Sequence, residues 1–508
     1  MVQQRANTRQ AGPRPTGGTA ILIATVAASC ALGAGVAMGG AGITGPGLFF
    51  SALVTAGATA LIAYSLDVQL IGLVRIALIA SFFFKNDITF FKIDDLSDPS
   101  GFNVSITLFA ALILFLYDHF FDDRRTIVFP RVFAWLLGVL FVSAAVSVVA
   151  TGATALGGFS LISLLTSILI AYVTASHFGR RDRISDLVTG IGVGVLMTGG
   201  VALVQYSFGW LTELPYLGTG TEEEQLGTQS QLLSRVPGFL RTPNGMAWVI
   251  SSLLPIVIAP LICRIRGFSL SQQTVLVAAS FSGVIAIVLS LARGSWLGLV
   301  VAVVLMAGFG WLRLTSNERK DYFVSVVGVA ALAGVLLIPF SERIYDRLTG
   351  DDQGAAAVRV PLMENALSMI EDNPLTGVGL NGYRQNMTRY DETGNFVSQE
   401  FPQPVHNVFA HVTTEVGVPG GVIFCLLFVF AAIECFKSMK TDDRLLFGLG
   451  LAALAALFAL VISGIKEPGS LGSARPPMRT CFLLLGVVMA LASIRRSNHA
   501  ASPAPEYS

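Results

Sequence analysis

Apolar runs of about 20 residues, the length that crosses a bilayer as a helix, recur from one end of the chain to the other. Their limits predict fourteen spans, at 19–38, 47–66, 68–84, 104–121, 132–151, 153–176, 187–210, 243–263, 274–291, 295–313, 322–340, 405–435, 445–464 and 479–494. The pair at 47–84 is the weakest part of the pattern, because Asp67 and Arg75 interrupt it. The polar stretch 1–18 reads as a cytoplasmic tail. The run Thr19–Met38 behind it is long and lacks a convincing cleavage site, so it reads as an uncleaved first span.

Composition agrees with this pattern and removes other classes. Of the 508 residues 53% are hydrophobic and 13% charged, about half the charge of an ordinary soluble domain. The net charge of +1 hides a segregation of cations. Nineteen of the 33 Lys and Arg residues fall in short segments on the side of the N-terminus: Arg5, Arg9, Arg14; Arg124, Arg125, Arg131; Arg180, Arg181, Arg183; Arg264, Arg266; Arg313, Arg319, Lys320; Lys437, Lys440, Arg444; Arg495, Arg496. Short basic loops stay in the cytoplasm, so the expected topology has both termini inside, with 495–508 as a second tail. No basic stripe interleaved with aromatics suggests nucleic acid. The five cysteines (Cys30, Cys263, Cys425, Cys435, Cys481) show no metal-ligand spacing and read as small core hydrophobes.

Three outer segments stand out by length: 85–103, 211–242 and 341–404. The last is too long to be a simple connector. Within it, Pro361 to Asp372 places Leu362, Met363, Ala366, Leu367, Met369 and Ile370 on one side of a helical wheel and Glu364, Asn365, Ser368, Glu371 and Asp372 on the other. Pro361 suits the first turn and Pro374 stops the helix. Such a helix lies on the membrane surface or at the mouth of a cavity; the alternative is a helix that packs only within its own loop.

The candidate chemistry lies at the outer edge of the membrane, where charge is expensive to place. Arg293 sits in a tight turn, Ser290-Leu291-Ala292-Arg293-Gly294-Ser295. Arg235 and Arg241 flank Val236-Pro237-Gly238-Phe239-Leu240 before the next span, Arg359 precedes the amphipathic helix, and His406 opens the span behind the large loop. Each alone reads as an interfacial anchor. Together they describe a pocket for an anion beside a titratable base. Guanidinium groups match phosphate oxygens bidentately, and a neutral histidine can take a proton from a hydroxyl. Transfer from a lipid-linked diphosphate needs that combination, with the arginines stabilising the charge of the leaving group. The helix start keeps the histidine neutral, and Ala410, Thr413, Gly417 and Gly421 form a small-residue stripe suited to close helix packing. Glu415 and His411 are expected to pair. Asp94, Asp95 and Asp98 could bind a metal but read more simply as a solvated acidic loop, as do Glu222, Glu223 and Glu224; Asp118-His119 sits at the cytoplasmic end of its span.

Three of these segments resemble a known family. Ser290-Leu291-Ala292-Arg293-Gly294 is similar to the Ser-x-x-Arg-Gly signature of the O-antigen ligase and polysaccharide polymerase family. Arg359 with Met369-Ile370-Glu371-Asp372-Asn373-Pro374-Leu375-Thr376-Gly377-Val378-Gly379 resembles its large-loop motif. His406-Asn407-Val408-Phe409 through Glu415-Val416-Gly417-Val418-Pro419-Gly420-Gly421 resembles its histidine segment. The resemblance covers about 235 to 425 closely.

What it implies is an all-α, GT-C-like polytopic transmembrane bundle of about 12–14 spans with one large periplasmic loop. The implied organisation is scaffold helices over 19–234, a catalytic region over 235–435 and further helices over 436–494. The implied protein is a metal-independent, inverting glycosyltransferase of the bacterial inner membrane, without a cofactor. It moves glycan from undecaprenyl diphosphate to a glycan or lipid A-core acceptor on the periplasmic face, among membrane lipids, with a flippase and a chain-length regulator as further partners. By position, Arg293 and Arg359 would bind the diphosphate and His406 would activate the acceptor, with Arg235 and Arg241 in support. Loop size favours polymerase over ligase. The competing classes are a small-anion transporter, for bicarbonate for example, and a non-catalytic envelope scaffold.

Overall fold

A computed structural model describes residues 70–84, 87–90, 101–120, 130–152, 154–210, 235–350, 357–392, 394, 397–473 and 475–501. The chain divides into two compact units, Met1–Leu73 and Val74–Ser508. Of the first, only the opening turn of one helix is described, so the expected spans 19–38 and 47–66 lie outside the described residues, as do Asp94, Asp95, Asp98 and Glu222 to Glu224.

The elements are α1 Leu70–Ala80 with a 3₁₀ turn to Phe83, strands β1 Asp87–Phe90 and β2 Phe102–Ser105, α2 Ile106–Phe120, α3 Arg131–Thr151, α4 Thr154–Phe178 and α5 Ile184–Phe208. There follow α6 Pro243–Ile262, α7 Leu270–Leu289, α8 Arg293–Arg313, α9 Ser316–Leu337 and α10 Ser341–Thr349. The large loop contributes α11 Arg359–Asp372, α12 Tyr383–Asn386 and α13 Val397–Glu400; α14 Val408–Met439, α15 Arg444–Gly464 and α16 Pro476–Ala501 complete the bundle. β1 and β2 form a two-stranded antiparallel ribbon pairing Asp87 with Ser105; the architecture is otherwise an all-α polytopic bundle.

Twelve of the fourteen expected spans coincide with helices. Among the described residues ten helices are long and apolar enough to cross a membrane, and two shorter apolar ones cover 74–83 and 107–120. Local chemistry sets their ends. Thr242 caps α6 by accepting the Gly245 N–H, with Pro243 in the first turn. Ser269 and Gln272 close α7 with a capping box, and Gly209 ends α5 in the left-handed region. α6, α15 and α16 are almost wholly buried, whereas the apolar stretch of α9 is open throughout. The former make the centre of the bundle and the latter faces lipid. Cys435 and Cys481 are buried as expected of core hydrophobes, but Cys425 is exposed on the outside of α14.

At the end of the bundle bearing the short basic loops, buried charges pair. Arg75 Nε donates to His177 Nε2 at 2.7 Å and Nη1 to Asp186 Oδ2 at 2.8 Å; Asp118 meets His177 Nδ1 at 2.7 Å and Arg183 at 3.3 Å. This explains how α1 tolerates a charge inside an apolar run: Arg75 is compensated by polar groups of α4 and α5.

The segment 341–404 is a folded unit, not a loop. Leu362, Ala366, Met369, Val378, Tyr383, Met387, Val397 and Val405 form its core. The buried face of α11 is Leu362, Asn365, Ala366 and Met369, while Leu367 is about half exposed. The wheel division is thus rotated from the expected one. Asn365, expected on the polar side, turns inward because its Nδ2 donates to the Met387 carbonyl at 2.9 Å. α11 packs chiefly within its own unit and against α14.

Candidate functional site

The site is organised by a break in α14. Gly417 leaves helical geometry at φ 76°, ψ 171°, and Pro419 follows. A break inside a membrane helix frees carbonyls that must find donors. The segment Pro374–Gly379 supplies them: Val378 N–H donates to Thr414 O at 2.9 Å and Gly379 N–H to Glu415 O at 3.1 Å, while Val418 N–H donates back to Pro374 O at 2.8 Å. From α3, Ser147 Oγ donates to Glu415 O at 2.6 Å and Ser143 Oγ to Val416 O.

The glycines follow from this docking. A Cβ on Gly377 would enter the Thr414 and Glu415 carbonyls, and one on Gly417 would enter the Leu375 carbonyl. Gly417 therefore serves the docked loop instead of a helix–helix seam. Gly421 sits against Thr413 of its own helix, and Gly420 is the residue that faces Ser143 of α3. The small-residue stripe is corrected accordingly.

His406 stands at the start of the same helix. Asn407 caps α14, its Oδ1 accepting the Phe409 and Ala410 N–H groups, which holds His406 just outside the first turn. One and two turns in, His411 and Glu415 pair as expected, Nε2 to Oε1 at 3.3 Å. Gly469 N–H donates to His411 Nδ1 at 3.1 Å, and Ser470 Oγ donates to the other Glu415 oxygen. These contacts clamp the α15–α16 connector onto α14.

His406 meets that connector directly through a hydrogen bond to the Lys466 backbone. Its Nδ1 is shielded from solvent and has no hydrogen-bond partner among the described residues. The backbone bond therefore falls to Nε2, leaving the lone pair on Nδ1. The imidazole pKa is pushed down to about 4, by burial first and by the neighbouring Arg359 charge second; the Lys466 bond opposes both. The expectation of a neutral histidine stands, with burial in place of the helix start as its main cause.

Arg359 is the first residue of α11 and is exposed. Arg293 opens α8 and is half-buried; its Nη2 donates to Gly350 O at 3.3 Å, and its Nε is buried without a partner among the described residues. The turn in front of it is strained at Leu291, φ 55°. Two arginines brace it: Arg235 Nε donates to Ser290 O at 2.8 Å and Arg347 Nε to Leu291 O at 3.1 Å. Arg235 also bonds the Asn244 side-chain oxygen. Arg241 sits at φ 62° in the neighbouring turn, which Gln205 fastens through both the N–H and the carbonyl of Gly238.

The Arg359 charge acts on His406, Arg235 supports the Arg293 turn, and the Lys466 stem, whose backbone meets His406, lies against Gly294. Lys466 and the contacts of Gly469 and Ser470 with the His411–Glu415 pair escaped the sequence reading. An Ile-Lys-Glu-Pro-Gly turn behind an apolar span looks like any interfacial anchor. Among the described residues no group of three or more His, Cys, Asp or Glu is arranged to hold a metal ion.

Residues 278–425 match the family model described as O-antigen ligase. The matched stretch contains Arg293, Arg359, His406 and the interlock of Gly377 with Gly417, and it starts later than the resemblance from about 235. No curated protein matches the chain. The bundle is thus a multi-pass membrane protein whose residues 278–425 are similar to the O-antigen ligase family.

Proposed function

We propose that this protein transfers glycan from undecaprenyl diphosphate to an acceptor hydroxyl on the periplasmic face of the bacterial inner membrane, with both termini in the cytoplasm. The observation that carries this reading is His406: a neutral ring, Nδ1 bare, with the Arg359 charge beside it. His406 Nδ1 takes the acceptor proton as the hydroxyl oxygen attacks the anomeric carbon. The bond from that carbon to the diphosphate oxygen breaks, and the electron pair leaves with the carrier. One displacement inverts the anomeric centre and needs no metal, because Arg293 and Arg359 meet the charge that develops on the diphosphate. Arg241 supports substrate binding, and Arg235 does so by holding the Arg293 turn. Polymer growth is the favoured outcome over attachment to lipid A core; a flippase and a chain-length regulator are its partners in the envelope.

The transporter reading gains a broken helix, but the carbonyls freed at Gly417 are taken by Val378, Gly379, Ser143 and Ser147. A scaffold has no need of a bare histidine nitrogen. A null strain complemented with His406→Ala tests the proposal: single repeat units should accumulate on the lipid carrier. Complete polymer on the carrier would assign ligase in place of polymerase, and normal surface glycan would end the catalytic reading.

A further inference from the structure

We infer that Lys466 is a donor-binding residue, supplying a third cation to the diphosphate beside Arg293 and Arg359; this rests on the transfer reading above. The juxtaposition has three parts. The Lys466 stem lies along the first turn of α8, with Cδ, Cβ and Cγ at 3.1, 3.5 and 3.7 Å from where a Gly294 Cβ would stand. Nζ is two bonds beyond Cδ and so stays beside the turn that begins with Arg293. The backbone of the same residue holds His406. Lys466 is half-buried, and no carboxylate among the described residues lies within salt-bridge distance of it.

Neighbouring cations repel one another, and an anion bound between them relieves that repulsion. Two arginines and one ammonium suit a diphosphate better than a monophosphate. The electropositive start of the 21-residue helix α8 adds in the same sense. Position is secured from behind. The clamp of Gly469 and Ser470 on His411 and Glu415 fixes the connector three and four residues after Lys466, while Lys466 N–H closes onto Ser463 O at 3.0 Å at the end of α15. Gly294 is the complementary feature on α8, since any side chain there would push the lysine stem aside.

The test uses full-length protein in nanodiscs, titrated with undecaprenyl diphosphate and separately with undecaprenyl monophosphate. Lys466→Met keeps the stem and the backbone bond to His406 but removes the ammonium. It should weaken diphosphate binding about tenfold, as expected for one lost hydrogen bond to a charged group, and monophosphate binding by less than about twofold. Lys466→Arg should retain most of the affinity. Gly294→Ala, a change that favours helix, should repeat the loss by displacing the stem. Unchanged diphosphate affinity in Lys466→Met would overturn the proposal, as would a fall in turnover with affinity intact, which would mean that the residue acts only through His406. His406→Ala separates the two levels. If it abolishes transfer while Lys466→Met binds normally, only the lysine assignment fails. If it leaves transfer intact, the transfer reading fails and the lysine assignment with it.

Discussion

At the scale of single residues, the account stands on the protonation of His406. Its folded pKa of about 4 lies below the ordinary 6.5, so the ring is neutral at every pH above about 4. The acidic limb of kcat/KM for the free enzyme should therefore fall near 4, and a limb at 6.5 would show an unperturbed ring. Removing a neighbouring cation favours protonation, so Arg359→Gln should move the limb upward. The linkage has a stability counterpart. A depressed histidine pKa gives stability that is complete above 6.5 and is lost as pH falls through 6.5 toward 4. Glu415 makes a different prediction. It is fully buried against His411 and Ser470, and Glu415→Ala should cost on the order of 1–3 kcal/mol for each buried partner left unpaired. Thermal unfolding in detergent would register this as a markedly lower midpoint. The sequence made the His411–Glu415 pair legible, because it is a four-residue spacing on one helix. Ser470 and Lys466 were not legible: they arrive from 55 and more residues away, and nothing local marks them.

At the scale of elements, the unit over 341–404 is pinned to α14 through its backbone. The docking of Pro374–Gly379 into the break requires glycine at 377 and 417, where φ is 67° and 76° and carbonyls crowd the missing side chains. Gly417→Ala should cost on the order of 1–3 kcal/mol in backbone strain alone. It should also loosen the outer unit, seen as faster proteolysis between 374 and 405. Cleavage at the parental rate would mean that the docking does not hold the unit. Periodicity located α11 but misjudged its inward face. A wheel sorts residues by polarity, and the packing of Asn365 is decided by a carbonyl at Met387 that belongs to another turn. A helix that spans the membrane in sequence terms can likewise be two segments: the apolar run of α14 is continuous, and only the Gly417 and Pro419 pair hints at the break.

At the scale of the whole molecule, the division of labour follows burial. α6, α15 and α16 form a packed centre, α9 meets lipid, and the ends of the bundle differ in kind. One end pairs its charges, as Arg75, Asp118, His177, Arg183 and Asp186 do. The other holds a buried His406 nitrogen without a hydrogen-bond partner among the described residues, within reach of the Arg359 charge. The helices from 70 to 501 were legible because twenty-residue apolar runs answer to bilayer thickness. How the distant arginines stand to one another was not legible, since sequence gives no distance between helices. The most direct measurement is release of undecaprenyl diphosphate from a glycan-loaded carrier by reconstituted full-length protein, wild type against His406→Ala. The account expects the variant to be slower by about 10²–10⁴-fold, the usual contribution of a positioned general base, with carrier binding retained. Release at the wild-type rate would contradict it.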